Sequence, residues 1–251
     1  GEGVMGPSLD PDHPAPTVIR RGQRCLITAS CMAVIGGSAV AAPFIVVVAL
    51  KMGASPLYIG ALQAMHLGSW IFQLLTMQQG RRRGKKPVVI LWSSLIVLVL
   101  LPLLALPEVW AYFGWERRGW ALGFLVAVLA LRHLAKGLAQ TGWMPLIQDN
   151  VPPNQHGRFF GRMRTFWQGM LVLWLMGIGL FVGDHVDWEV IRLIFVIAGL
   201  CNAGYVVCLL PVREYPPVGD TVPLSQLIAA PFRCHRFRWA LLYPFSYSMA
   251  L

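Results

Sequence analysis

The sequence has little charge, and acids are its scarcest charged residues. Only 11 of 251 residues are Asp or Glu, and all charged residues together make up 13%. A soluble domain carries about 25%. All eleven acids fall in loops or at the ends of apolar runs. No cluster of nucleophile, base or metal ligands stands beside them, so no enzyme activity, catalytic residue, metal site or cofactor is expected. The five cysteines form no CxxC pair. Cys201 and Cys208 share a helix face, but buried cysteine behaves as a small apolar residue. A secretory leader pattern is missing as well, because the first apolar run is too long and lacks a small-residue cleavage site. The apolar runs show no period-two alternation, which excludes barrel strands.

What the sequence does have is long apolar runs: Leu26–Leu50, Leu57–Met77, Val88–Leu106, Trp120–Thr141, Phe166–Val182, Val190–Leu210 and a run starting at Trp239. A helix needs about 20 apolar residues to cross a hydrocarbon core, within a range of about 17–25. Backbone groups in lipid must bond internally, so runs of this length are helices. The expected fold is an all-α membrane protein with six complete transmembrane helices and the start of a seventh. In this division, residues 1–25 are a flexible tail, 26–210 the bundle, 211–238 a linker and 239–251 the truncated seventh span. The last run stops after 13 residues, about 20 Å of helix against a core of about 30 Å. The sequence is therefore expected to be a fragment of a longer chain.

The net charge of +10 does not point to nucleic acid, because its distribution follows the runs. Arg20, Arg21 and Arg24 precede run one. Arg81, Arg82, Arg83, Lys85 and Lys86 separate runs two and three. Arg158, Arg162 and Arg164 separate runs four and five. Arg213, Arg233, Arg236 and Arg238 follow run six. The other set of loops holds Lys51, Arg117 and Arg118. This alternation matches the positive-inside rule and puts the N-terminus in the cytoplasm. Within 211–238, Leu224, Leu227, Ile228 and Phe232 recur at helical spacing. A surface-lying amphipathic helix and a solvated linker both fit that segment.

Polar residues inside spans are candidates for function. Run four carries Arg132, His133, Lys136 and Gln140 on an arc of about 100°. Arg132 lies about 18 Å below one end, just past mid-membrane, and needs a partner or a watery cavity. Gln63 and His66 lie on one face of run two with Ser69 and Gln73. Gln168 in run five and Asn202 in run six are candidates for the same path. A buried guanidinium and ammonium without nearby acids favour an anionic or carboxylate-bearing solute. The alternative for this polar stripe is helix–helix glue. Gly36, Gly37 and the small residues of runs one, five and six allow close helix packing. Pro43 and Pro102 are expected to kink their runs.

Two loops carry a family resemblance. Met77-Gln-Gln-Gly-Arg-Arg-Arg-Gly-Lys-Lys86 resembles the loop signature of the major facilitator superfamily, with Arg82, Gly84, Lys85 and Lys86 in register. Met77 replaces the signature's first Gly, and Arg81 replaces its Asp. Asp149-Asn-Val-Pro-Pro-Asn-Gln-His-Gly-Arg158, running on to Gly161 and Arg162, is similar to the loop between that family's fourth and fifth helices. An acid and a base at facing helix ends can pair in one conformation and separate in another; anchoring of Arg158, Arg162 and Arg164 to headgroups is the alternative. Run five lacks the Gly-Pro element of the family's antiporters, and Gly137 is displaced by one position from the glycine expected after Arg132. The resemblance implies the N-terminal half of a two-half secondary transporter in a bacterial inner (plasma) membrane. Its partners would be a small-molecule solute, the lipid bilayer, a coupling ion and a C-terminal half of the same chain. A non-transporting receptor or assembly subunit is the alternative function.

Overall fold

The computed structural model describes residues 16–73, 76, 79–80, 84–182 and 187–215. All regular structure among these residues is helical. The linker beyond residue 215 and the seventh run lie outside the described residues.

The first run is not one helix. Helix α1 spans Pro16–Ser38 and α2 spans Ala42–Lys51, with a turn and bend at residues 39–41. Proline near the start of α2 cannot continue the hydrogen-bond ladder, so the break falls just before Pro43. Helix α1 also starts earlier than expected. Pro16 opens it, so residues 16–25, assigned to a flexible tail, are helical. Proline suits a first helical turn, where its missing N–H is no loss.

Run two is likewise interrupted. Helix α3 spans Pro56–Gly68 and passes into a 3₁₀ turn at Ser69–Phe72. Run three forms α4, Lys85–Leu100, a 3₁₀ segment at Leu101–Ala105 containing Pro102, and α5, Leu106–Phe113. Helix α6 spans Arg118–Asn150, 33 residues and about 50 Å, so it outruns a hydrocarbon core. Helix α7, His156–Val182, takes the three expected loop arginines into its first turns. Helix α8 spans Trp188–Leu209. Among the described residues, three stretches are long and apolar enough to cross a membrane: Lys85–Phe113, Arg118–Asn150 and Trp188–Leu209. The breaks near Pro43 and Ser69 shorten the helices of runs one and two.

Helix α6 packs along α4, and α1 lies against α7 and α8. The larger apolar core joins Phe44, Val48 and Met52 of α2 to Leu125 and Leu129 of α6 and to Ile191 and Phe195 of α8. Phe44 and Phe195 meet edge to face at 5.8 Å. A second core joins Leu26, Leu146, Ile147, Phe159 and Leu209.

The ends of the bundle differ in chemistry. At one end Gly22, Lys85, Asp149, Asn150 and Glu214 come together. At the other, Arg192 of α8 binds Glu108 of α5 and lies 3.5 Å from Glu189. Lys51 there sits 5.1 Å from the Trp188 ring. Exposed Leu173, Met176 and Leu180 on α7 and Leu200 and Val207 on α8 suit a chain surrounded by acyl tails or further helices.

Candidate functional site

Arg132 is the largest fully buried side chain among the described residues, 2% exposed. It projects from α6 toward α1, where its Nη2 lies 3.8 Å from the position a Cβ on Gly37 would take. Its Nη1 is 3.3 Å from Nδ1 of the adjacent His133. Its Nε has no hydrogen-bond partner among the described residues. The ion pairs found among those residues join Lys85 to Asp149 and Arg192 to Glu108 and Glu189; none includes Arg132 or Lys136. Lys136, one turn along the same face, is half-buried, as is Gln140. Two cations thus stand one turn apart inside the bundle, with no carboxylate in ion-pair range among the described residues.

His133 is buried and shares a small cavity with Gln63 of α3. Val40 and Ala41, in the break between α1 and α2, close its side. The cavity holds about 20 Å³, room for one water and too little for a solute. The break in run one therefore puts irregular backbone beside the polar stripe of α6, a placement tolerated in membranes only where protein or water covers it.

The remaining candidates separate. Asn202 is buried, but it donates to the Ala198 carbonyl at 2.7 Å and abuts Gly36, holding α8 close to α1. Gln168 is exposed on α7 and does not line the cavity. The side chain of His66 and all of Arg82 lie outside the described residues. No group of three His, Cys, Asp or Glu able to hold a metal is found among the described residues.

The loop residues do converge. Lys85 Nζ donates to both carboxylate oxygens of Asp149, at 2.8 and 2.7 Å. The partner of Asp149 in this arrangement is thus a lysine of the first loop, rather than an arginine of α7. Glu214 accepts hydrogen bonds from the backbone N–H groups of Lys85 and Lys86, capping α4 from a distant loop. Gly84 has φ +96°, and a Cβ there would stand 2.7 Å from Glu214 Oε1. Lys86 Nζ donates to the Leu210 carbonyl at 2.6 Å. Asn150 donates to the Arg213 carbonyl at 2.7 Å and sits against Gly22. Helices α1, α4 and α6 and the C-terminal end of α8 are tied together here. Arg158 and Arg162 instead face Arg20 and Arg24 across a separate cavity.

Glu214 was missed by the sequence reading, since a lone acid after a span carries no spacing signal. The Thr76–Thr141 pair was missed too. Their hydroxyls meet at 2.6 Å, while Thr76 Oγ1 reaches the Leu138 carbonyl and Thr141 Oγ1 the Gln73 carbonyl, each at 3.0 Å. Threonines inside apolar runs were the available signal.

The family model of the Major Facilitator Superfamily matches residues 26–251. No curated protein and no solved structure matches the chain.

Proposed function

The chain belongs to the major facilitator superfamily and is an integral membrane transporter of that type, and on that premise we propose that it moves a small anionic solute by alternating access. The observation that supports this is the pair Arg132 and Lys136. A buried guanidinium is expensive in a low-dielectric interior, and removing its counter-charge leaves a penalty of several kcal/mol. Neither cation has a carboxylate in ion-pair range among the described residues. An anion admitted when the helices part would supply the missing charge, and Arg132 would bind it in a bidentate way.

The proposed topology has six crossings, with the N-terminus and the basic end of the bundle in the cytoplasm of a bacterial cell. Transport would come from rocking against a second six-helix bundle. The Lys85–Asp149 pair and the Glu214 cap would keep the basic end rigid as one body during that motion.

A second reading has one observation in its favour. The cavity beside His133 admits a single water, and Arg132 is buried facing Gly37 of α1, so the guanidinium would serve as helix–helix glue in a non-transporting protein. Uptake of candidate organic and inorganic anions into vesicles separates the two. Under the transport reading, Arg132→Gln loses uptake while the purified protein keeps its helix content. Unchanged uptake in that variant would reject a binding role for Arg132; no uptake of any tested solute by the unaltered chain would favour the structural reading.

A further inference from the structure

Four arginines from two helices line a cavity away from Arg132 and Lys136 that solute transport does not use. The cavity holds about 380 Å³ and lies between the N-terminal part of α1 and the start of α7, within the usual range of about 300–1,000 Å³ for ligand pockets. Arg20 and Arg24 enter it from α1; Arg158 and Arg162 enter from α7. Gln23 and Gln155 add amide groups to the wall. Ile27 and buried Phe159 line its apolar side.

Apart from Arg162, which lies over the Phe166 ring at 5.7 Å, these charges have no compensation among the described residues. Among the described residues, none of these four guanidinium groups takes part in an ion pair and no acid lines the cavity. Arg158 sits in the first turn of α7, where no acid accompanies it. Cations there oppose the helix macrodipole, whereas an anion is favoured by it. Bias toward one side of the membrane accounts for basic residues at this end in general. It does not account for four of them, with two glutamines, converging on one hollow.

We propose that this cavity binds a phosphate group. Planar guanidinium forks match phosphate oxygens two at a time, and several guanidinium groups around one anion replace mutual repulsion with attraction. Inorganic phosphate and the headgroup of an anionic phospholipid both carry that group, and the acyl chains of the latter would lie along Ile27 and Phe159.

The test uses the chain purified in neutral detergent and stripped of lipid. One arm titrates inorganic phosphate and follows the thermal melting midpoint. The other offers phosphatidylglycerol and phosphatidylcholine in equal amounts and counts retained lipid by native mass spectrometry. A midpoint that rises with phosphate identifies a soluble source. At least tenfold preference for phosphatidylglycerol identifies a lipid source. Either supports the proposal when it is lost in R24Q/R158Q and kept in R117Q/R118Q, which removes the same charge at the opposite end. Should R24Q/R158Q fail to fold, the single variant R162Q, expected to weaken binding at least threefold, decides in its place. Absence of both responses in the unaltered chain, as when an acidic side chain of the protein already fills the cavity, overturns the proposal. So does equal loss in R117Q/R118Q, or full binding in the variants that lack the cavity arginines.

Discussion

Lys85 Nζ lies 2.8 and 2.7 Å from the two carboxylate oxygens of Asp149, joining the start of α4 to the last turn of α6. The two side chains are 20% and 14% exposed, so the pair is partly shielded and holds a defined geometry. It belongs to a cluster in which Glu214, Asn150 and Lys86 close the same end of the bundle with backbone contacts.

That shielding makes the pair measurable. Lys85→Met and Asp149→Asn are each expected to lower the melting midpoint in detergent, and the double variant to fall less than their sum. The expected coupling is about 1 kcal/mol, above the median for exposed pairs. Additive single effects would show that the contact contributes nothing to the folded state.

The cap on α4 gives a second prediction. Glu214→Ala leaves the N–H groups of Lys85 and Lys86 without their acceptor and is expected to destabilise by about 1 kcal/mol. Glu214→Gln keeps an acceptor oxygen and should lose less. Gly84→Ala combines a left-handed φ with a close approach to the carboxylate, so its loss should exceed that of Glu214→Ala. Thermal melting of the three variants in one detergent gives the order; a tolerated Gly84→Ala would contradict the geometry.

Adjacent glycines of α1 should respond differently. A Cβ on Gly36 would overlap the Asn202 amide, whereas one on Gly37 would lie at ordinary contact distance, 3.8 Å, from Arg132. Gly36→Ala is expected to destabilise by about 1–3 kcal/mol through overpacking, with partial rescue by Asn202→Ala. Gly37→Ala should be nearly neutral. Equal melting midpoints for the two single variants would refute this division of α1 between α8 and α6.

Removal of the Thr76 or Thr141 hydroxyl tests the contact between runs two and four. Each change to Val is expected to lower stability by about 0.6 kcal/mol, the usual size of an interhelical hydrogen bond in lipid. The double variant should fall short of the sum, because both hydroxyls belong to one network. Strict additivity in a melting cycle would contradict a shared network.

The apolar runs determine by themselves that the chain is helical, and the loops between them carry enough register to bring out the superfamily. Burial of long apolar segments and internal satisfaction of their backbone groups are local requirements, legible residue by residue. The depth of Arg132 along α6 also follows from helical rise alone. Its approach to Gly37, the one-water cavity beside His133, and the close placement of Asn202 against Gly36 were decided only when α1, α6 and α8 packed. The same holds for Asp149, which meets Lys85 because α4 and α6 lie together, and for Glu214, brought onto α4 by a loop more than a hundred residues later in the chain. A side chain's helix and height follow from the covalent order of residues. Which neighbour it meets depends on the rotation and separation of helices, set by contacts between residues far apart along the chain.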